Sequence, residues 1–361
     1  MHATPGEIPE PVLTRLAEER RTTGFRNLRI YGEFERVARA LHERGVPVIP
    51  LKGLHLADLV FRDISLRPMS DLDILVPRTQ LEQAAEVLHS LGYGFEQDVS
   101  DAAGAMLDTT KCNLGLAHPG VGTWLELHWS VSEPSDRYAA LVEDAWRNAV
   151  PARFGNTDSM VMSPEFLLLH VCLHLACGHV FLFSLHGLCD IAEIARVYPS
   201  LDWRIVAKYG ARYGQGRGVA AALRLARDHL GAAIPDEALT SLGADTSDPE
   251  MLAAAMEHLL GSIDIPHGLQ ITPNLLALAA PSAPTEKLAT VWRRIFIPRA
   301  ELSLLYGVPQ HSARIGLYYA VRLRDLLRRY AASAWALKVS DPQLAAAAAR
   351  HAGLAKWIAG G

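Results

Sequence analysis

Apolar side chains recur along the first part of the chain with two different periods. From Arg26 to Arg44, the positions Leu28, Tyr31, Phe34, Val37 and Leu41 follow a helical repeat, and Gly45 stands where a C-terminal cap would end the helix. Val46 to Leu51 is short, apolar and partly β-branched, which predicts a strand ended by Lys52-Gly53. Leu54 to Phe61 predicts a short helix running into a loop through Arg67-Pro68. Asp71 to Val76 alternates as a strand does, and Pro77 closes it. Gln80 to Leu91 is amphipathic at helical spacing, with Thr79 as its N-cap and Gly92 at its end. Strand-like pieces follow at Tyr93 to Glu96, around Cys112 to Ala117 and from Thr123 to Ser130. Together they predict a small mixed β-sheet with helices on it.

After about Pro151 the period becomes helical and stays so. Ser163-Pro164-Glu165 opens a helix with a capping serine and a proline at its first position. The expectation is an α+β chain, a small mixed sheet lobe followed by an all-helical lobe, punctuated near Pro199, Gly214 to Gly218, Pro266 to Pro273 and Pro281 to Pro284. Gly214-Gln215-Gly216-Arg217-Gly218 follows a helix and has no Lys-Ser/Thr after it, so it reads as a helix–helix turn and not as a phosphate loop.

Composition narrows the function classes. With 361 residues the chain exceeds the usual single-domain range, and its 50% hydrophobic and 20% charged content is that of a globular protein. A net charge of −4 disfavours a duplex-DNA binder. Cys112, Cys172, Cys177 and Cys189 form no C-x-x-C pair and read as buried thiols in a reducing compartment. No secretory leader and no transmembrane run stands out, so a cytoplasmic protein is expected.

The candidate chemistry begins at Asp71-Leu72-Asp73. Residues two apart on a strand share a face and lie roughly 6.5 to 7 Å apart. Asp71 and Asp73 would thus present two carboxylates together, able to share Mg2+ or Mn2+ with substrate phosphates. Two solvated aspartates on a polar strand edge would show the same pattern. The context adds to it. Lys52-Gly53 offers a cation beside a glycine at a strand end, where backbone can approach phosphate, and Arg67 and Ser70 precede the paired aspartates. Trp124-Leu125-Glu126-Leu127-His128-Trp129 alternates as well, with Glu126 and His128 on one face. A third carboxylate on a neighbouring strand would complete a two-metal site.

These residues, in the order Leu51-Lys52-Gly53, Leu66-Arg67-Pro68-Met69-Ser70-Asp71-Leu72-Asp73-Ile74-Leu75-Val76, Leu91-Gly92-Tyr93 and Leu125-Glu126-Leu127-His128-Trp129, strongly resemble the bacterial "uncharacterised nucleotidyltransferase" family of the DNA polymerase beta-like superfamily. Ser163-Pro164-Glu165 with Leu167 to His174, Asp190-Ile191-Ala192 and Leu201-Asp202-Trp203 extend the likeness, which covers roughly residues 46 to 240. With the change of period, the expected division is an N-terminal helical segment (1–45), a nucleotidyltransferase core (46–150) and a helical domain (151–361). The resemblance implies Asp71 and Asp73 as catalytic metal-binding carboxylates with Glu126 at the third acidic position, and the chemistry of the residues themselves points to Lys52, Gly53, Arg67, Ser70 and His128 at the nucleotide. The reaction the resemblance implies is Mg2+-dependent transfer of a nucleoside monophosphate from an NTP to an unknown acceptor (a small molecule, a peptide or protein, or an RNA end) with release of pyrophosphate. Where the wider superfamily has Gly-Ser on the turn before the paired aspartates, this chain has Lys52-Gly53.

Two other readings compete. The fold could serve as a nucleotide-binding or scaffolding protein beside a partner protein. Alternatively, His170 and His174, four apart on one helix with His179 and His186 nearby, could hold a metal for hydrolysis. Residues 311–338 combine an apolar stripe with Arg314, Arg322, Arg324, Arg328 and Arg329. Such a helix packs its apolar face, rests on a membrane surface or contacts RNA; packing is the expectation.

Overall fold

The computed structural model describes residues 8–94, 112–132, 135–182, 185–242, 248–260, 284–297, 299, 302, 306, 311–338 and 342–359. They fall into two compact units, one made of the described residues of 8–94, 112–130 and 142–163, the other of those of 131–141 and from 164 onward.

The first unit opens with α1 (Glu10–Glu43), a 34-residue helix that begins well before the periodic stretch. Its C-terminus is closed as the sequence predicts: Gly45 takes φ 72°, its N–H donates to His42 O, and the Val46 N–H donates to Leu41 O. Then come β1 (Ile49–Pro50), the short α2 (Gly53–His55) running into a π turn at Leu56–Val60, β2 (Asp71–Leu75), α3 (Leu81–Ser90), β3 (Asn113–Ala117) and β4 (Trp124–His128). Thr79 does not cap α3; after Pro77 a 3-10 turn at Arg78–Gln80 intervenes, and Gln80 takes the cap position. The strand expected at Tyr93 to Glu96 is reduced to a single bridge from Gly94 to Ala117, with 95–96 outside the described residues.

The sheet has the order β1-β2-β4-β3 and is mixed, since β2 and β4 run parallel while the outer pairs are antiparallel. Alternation sorts its two faces. Leu72 and Ile74 of β2, Leu125 and Leu127 of β4, and Leu114 and Leu116 of β3 share one face and are all buried. Asp71, Asp73, Glu126, His128, Asn113 and Gly115 share the other. Gly115 is required there, because the Trp124 indole lies across it and a Cβ would come within 2.5 Å of Trp124 Cζ2.

Helical character does not start near Pro151. After α4 (Ala139–Arg147), β5 (Val150–Phe154) and β6 (Thr157–Val161) form an antiparallel hairpin. Its turn is Gly155-Asn156, with Gly155 at φ 56° and the Glu35 carboxylate where a side chain would stand. This glycine–asparagine pair between two short runs is a hairpin signal that the helical reading passed over. Phe154 docks on α1, its ring centroid 5.4 Å from that of Phe34.

The second unit is helical from Pro164 onward: α5 (Pro164–Leu173), α6 (Leu185–Val197), α7 (Trp203–Arg212), α8 (Gly216–Leu230), α9 (Asp236–Ser241), α10 (Pro249–Leu260), α11 (Pro284–Ile295), α12 (Ile315–Lys338) and α13 (Pro342–Ile358). From Phe166 to Leu173 every residue of α5 is buried, the mark of a central helix. Gly214 (φ 66°) turns the chain between α7 and α8, as a helix–helix turn should. The packing expected for residues 311–338 holds only in part: Ile315 is buried and Tyr318 and Tyr319 pack beside it, but Leu317, Leu323 and Leu327 are exposed and Arg322 is buried. The punctuation at Pro266 to Pro273 lies outside the described residues. No helix among the described residues is long and apolar enough to cross a membrane.

Phe34 has no exposed surface and Phe25, on the same helix, is 66% exposed. Phe34→Ala is expected to destabilise the protein by about 3–5 kcal/mol through lost burial and a residual cavity, whereas Phe25→Ala should stay within about 0.5 kcal/mol. Urea denaturation of both variants checks the difference.

Candidate active site

The parallel pairing of β2 with β4 sets Asp73 beside Glu126 on the polar face of the sheet. Asp73 is buried, and charge meets both of its carboxylate oxygens. Lys52 Nζ lies 3.2 Å from Oδ2 and His128 Nε2 lies 3.2 Å from Oδ1. The same His128 nitrogen is 3.2 Å from Glu126 Oε2, which also accepts a 2.6 Å hydrogen bond from Asn113 Nδ2. Asp73, Glu126 and His128 each offer one ligand atom within 4.8 Å of the others, a set that could hold a metal ion.

Electrostatics follow from this packing. Burial alone would raise the Asp73 pKa, but Lys52 and the His128 hydrogen bond overcome it and hold the carboxyl well below the usual range. Burial alone would lower the His128 pKa. Its hydrogen bonds to Asp73, Cys112 and Glu126 prevail and hold the imidazole well above its ordinary value. Asp71 differs. Burial, then repulsion by Asp73, raise its pKa against the pull of Lys52, and the Ser70 hydroxyl donates to its Oδ1 at 3.1 Å.

Local structure explains how these groups arrive. The Leu51 N–H donates to Asp73 O at 3.0 Å, tying the end of β1 to β2. Lys52 then turns sharply, at φ 33° and ψ −96°, a left-handed conformation that costs a non-glycine residue about 1–3 kcal/mol and persists only where the surroundings enforce it. The turn aims the ammonium at Asp73. Gly53 follows in a tight place, since a Cβ there would sit 2.9 Å from the Met69 sulfur and 3.7 Å from an Arg67 guanidinium nitrogen. The Arg67 guanidinium donates to Pro68 O at 2.9 Å. The loop before β2 is pinned by Asn27 of α1, whose buried amide donates to the carbonyls of Ile64 at 2.5 Å and Arg67 at 2.8 Å.

The structure thus gathers Lys52, Asp73, Glu126 and His128 into one contact network, with Asp71 two residues before Asp73 on β2, Ser70 just ahead of the strand, and Gly53 beside Met69 and Arg67. His128, which the sequence placed at the nucleotide, stands with Asp73 and Glu126 in the set of three ligand atoms, and Asp71 is not in that set. Asn113 and Asn27 escaped the sequence reading. A strand at Cys112 to Ala117 was legible, but its antiparallel register with β4, which opposes Asn113 to His128, was not. No local signal marks Asn27, one polar residue on a long helix.

Two carboxylates with an imidazole suit a divalent cation. A family model described as an uncharacterised nucleotidyltransferase matches residues 2–231, a span that contains the whole sheet and every residue of this network. No curated protein and no solved structure matches the chain.

His55, on the helical turn that follows Lys52, is fully buried, and burial pushes its imidazole down to about 3. An unfolded histidine titrates near about 6.5. Between these values the unfolded chain binds a proton that the folded chain does not, so stability falls as pH drops from about 6.5 toward about 3. His55→Leu should flatten this acid-side loss, read as the change in urea midpoint between about pH 7 and pH 5 in the two proteins.

Proposed function

Because the chain belongs to the family of uncharacterised nucleotidyltransferases, we propose that it transfers a nucleoside monophosphate from an NTP to an acceptor with release of pyrophosphate. The observation that carries this reading is the convergence of Asp73, Glu126 and His128 with Asp71 alongside on β2. In the reaction an acceptor oxygen bonds to the α-phosphorus, the bond from that phosphorus to the bridging oxygen breaks, and the pyrophosphate leaves with that electron pair.

Asp71, Asp73 and Glu126 would hold Mg2+ or Mn2+. A divalent ion bound there supplies positive charge for the phosphoryl oxygens and lowers the pKa of a coordinated hydroxyl. The other side chains position and compensate. Lys52 and Arg67 supply cations for the triphosphate, Ser70 and the Gly53 backbone line the turn it approaches, and His128 holds Asp73 and Glu126 in place. Glu126 takes the acceptor proton. No covalent enzyme intermediate is needed, because positioning and charge carry the rate. The acceptor is a hydroxyl or phosphate of a small molecule, a peptide or protein, or an RNA end.

A second reading, nucleotide binding without transfer, is favoured by one observation: Lys52 and His128 meet both oxygens of Asp73. Calorimetric titration with each NTP and Mg2+, with pyrophosphate release followed in parallel across candidate acceptors, separates the two. The transferase reading expects Mg2+-dependent NTP binding and pyrophosphate release, the latter falling by at least about 100-fold in the Asp71→Asn/Asp73→Asn double variant. Binding without release under every acceptor condition supports the second reading. Absence of NTP binding to the folded, Mg2+-loaded protein overturns both.

A further inference from the structure

A second concentration of ligating side chains lies within the helical unit. His170 and His174, four residues apart, have ring centroids 6.3 Å apart. The close pair is His174 with His179, whose centroids are 4.4 Å apart and whose Nε2 atoms share a hydrogen bond of 3.0 Å, with a proton that a bound metal ion would displace. Residues five apart on a regular α-helix point about 140° away from each other. Here the π turn His174–Gly178, closed by the His179 N–H on His174 O at 3.1 Å, winds more slowly and brings His179 back to the face of His174.

The backbone just beyond His179 is strained. Val180 and Phe181 are consecutive left-handed residues, at φ 50° and 60°, which is unusual for any side chain and more so for a β-branched one. The surroundings enforce it. Phe181 is fully buried, its N–H donates to Leu175 O at 2.9 Å, and His258 Nδ1 lies 3.1 Å from Val180 O. The turn that presents His179 is thus fixed from behind, as a preformed site requires.

We propose that His174 and His179 form a chelating pair for a borderline divalent cation of the zinc, nickel or copper class. Imidazole nitrogens bind such ions at about 2.0–2.1 Å. Two nitrogens 3.0 Å apart then subtend roughly 94° at the ion, an angle suited to tetragonal or distorted tetrahedral geometry. His179 is exposed and His174 half-buried, which gives solvent access. Among the described residues no third histidine, cysteine or carboxylate completes a set of three here. Cys177, inside the π turn, is not a ligand: its thiol lies 2.8 Å from Gln215 Oε1, and burial pushes its pKa up to about 12. This pair has the nitrogen donors of a softer ion, in contrast to the oxygen-rich cluster on the sheet, and its proposal does not depend on transferase activity.

The test uses the full chain without an affinity tag. Zn2+ is titrated by calorimetry into the wild type, His174→Ala, His179→Ala and Asp71→Asn/Asp73→Asn, and Cu2+ bound to the wild type is examined by electron paramagnetic resonance. The expected result is a Zn2+ affinity lowered at least about tenfold in each histidine variant and retained in the aspartate variant, with nitrogen hyperfine structure from two imidazoles on Cu2+. His179 is exposed, so its replacement leaves the fold in place, which circular dichroism checks. Unchanged Zn2+ affinity in His179→Ala, loss in the aspartate variant alone, or a Cu2+ spectrum without two coordinated nitrogens overturns the proposal.

Discussion

A carboxylate taken into a protein interior is costly by several kcal/mol unless opposite charge meets it there. Asp73 is such a carboxylate, and much of the first unit is arranged around that constraint. The two groups that meet its oxygens come from different elements, Lys52 from the turn after β1 and His128 from the end of β4. Neither is near Asp73 until β1 has paired antiparallel with one edge of β2 and β4 has paired parallel with the other. The strained backbone of Lys52 stands in the same arrangement, between the strand end tied to Asp73 O and the ammonium beside Asp73 Oδ2. Charge compensation, strand order and backbone strain are one interlocked arrangement.

The same sheet separates two tasks by alternation alone. Leucine and isoleucine on one face build the core, and the acids, the histidine and Asn113 share the other. Gly115 leaves room on the polar face for the Trp124 indole, so an exposed aromatic surface borders the acidic cluster. In the helical unit Val180 and Phe181, also non-glycine residues of positive φ, stand beside His179 and are held by contacts to Leu175 and His258 of the same unit.

Much of this is legible in the sequence. The paired aspartates, the alternation around Glu126 and the cap at Gly45 each depend on residues close along the chain, and the α+β class follows from the change of period. The features that escaped depend on register or on rare local winding. Asn113 reaches Glu126 only because β3 is antiparallel to β4 with a particular offset. Histidines five apart look unrelated until a π turn intervenes, and i,i+4 spacing pointed to His170 instead. The hairpin of β5 and β6 was hidden because a strongly helical stretch begins only a few residues later, at Pro164.

The hold of Asn27 on the loop before β2 bears on how that loop can change over time. Its amide reads the carbonyls of residues 64 and 67, groups that every amino acid carries. As far as this anchor is concerned, the side chains at those two positions are free to vary while the path of the loop toward the paired aspartates stays the same. The residue that cannot drift without loosening the anchor lies some forty positions upstream, on a helix that contributes no side chain to the acidic cluster.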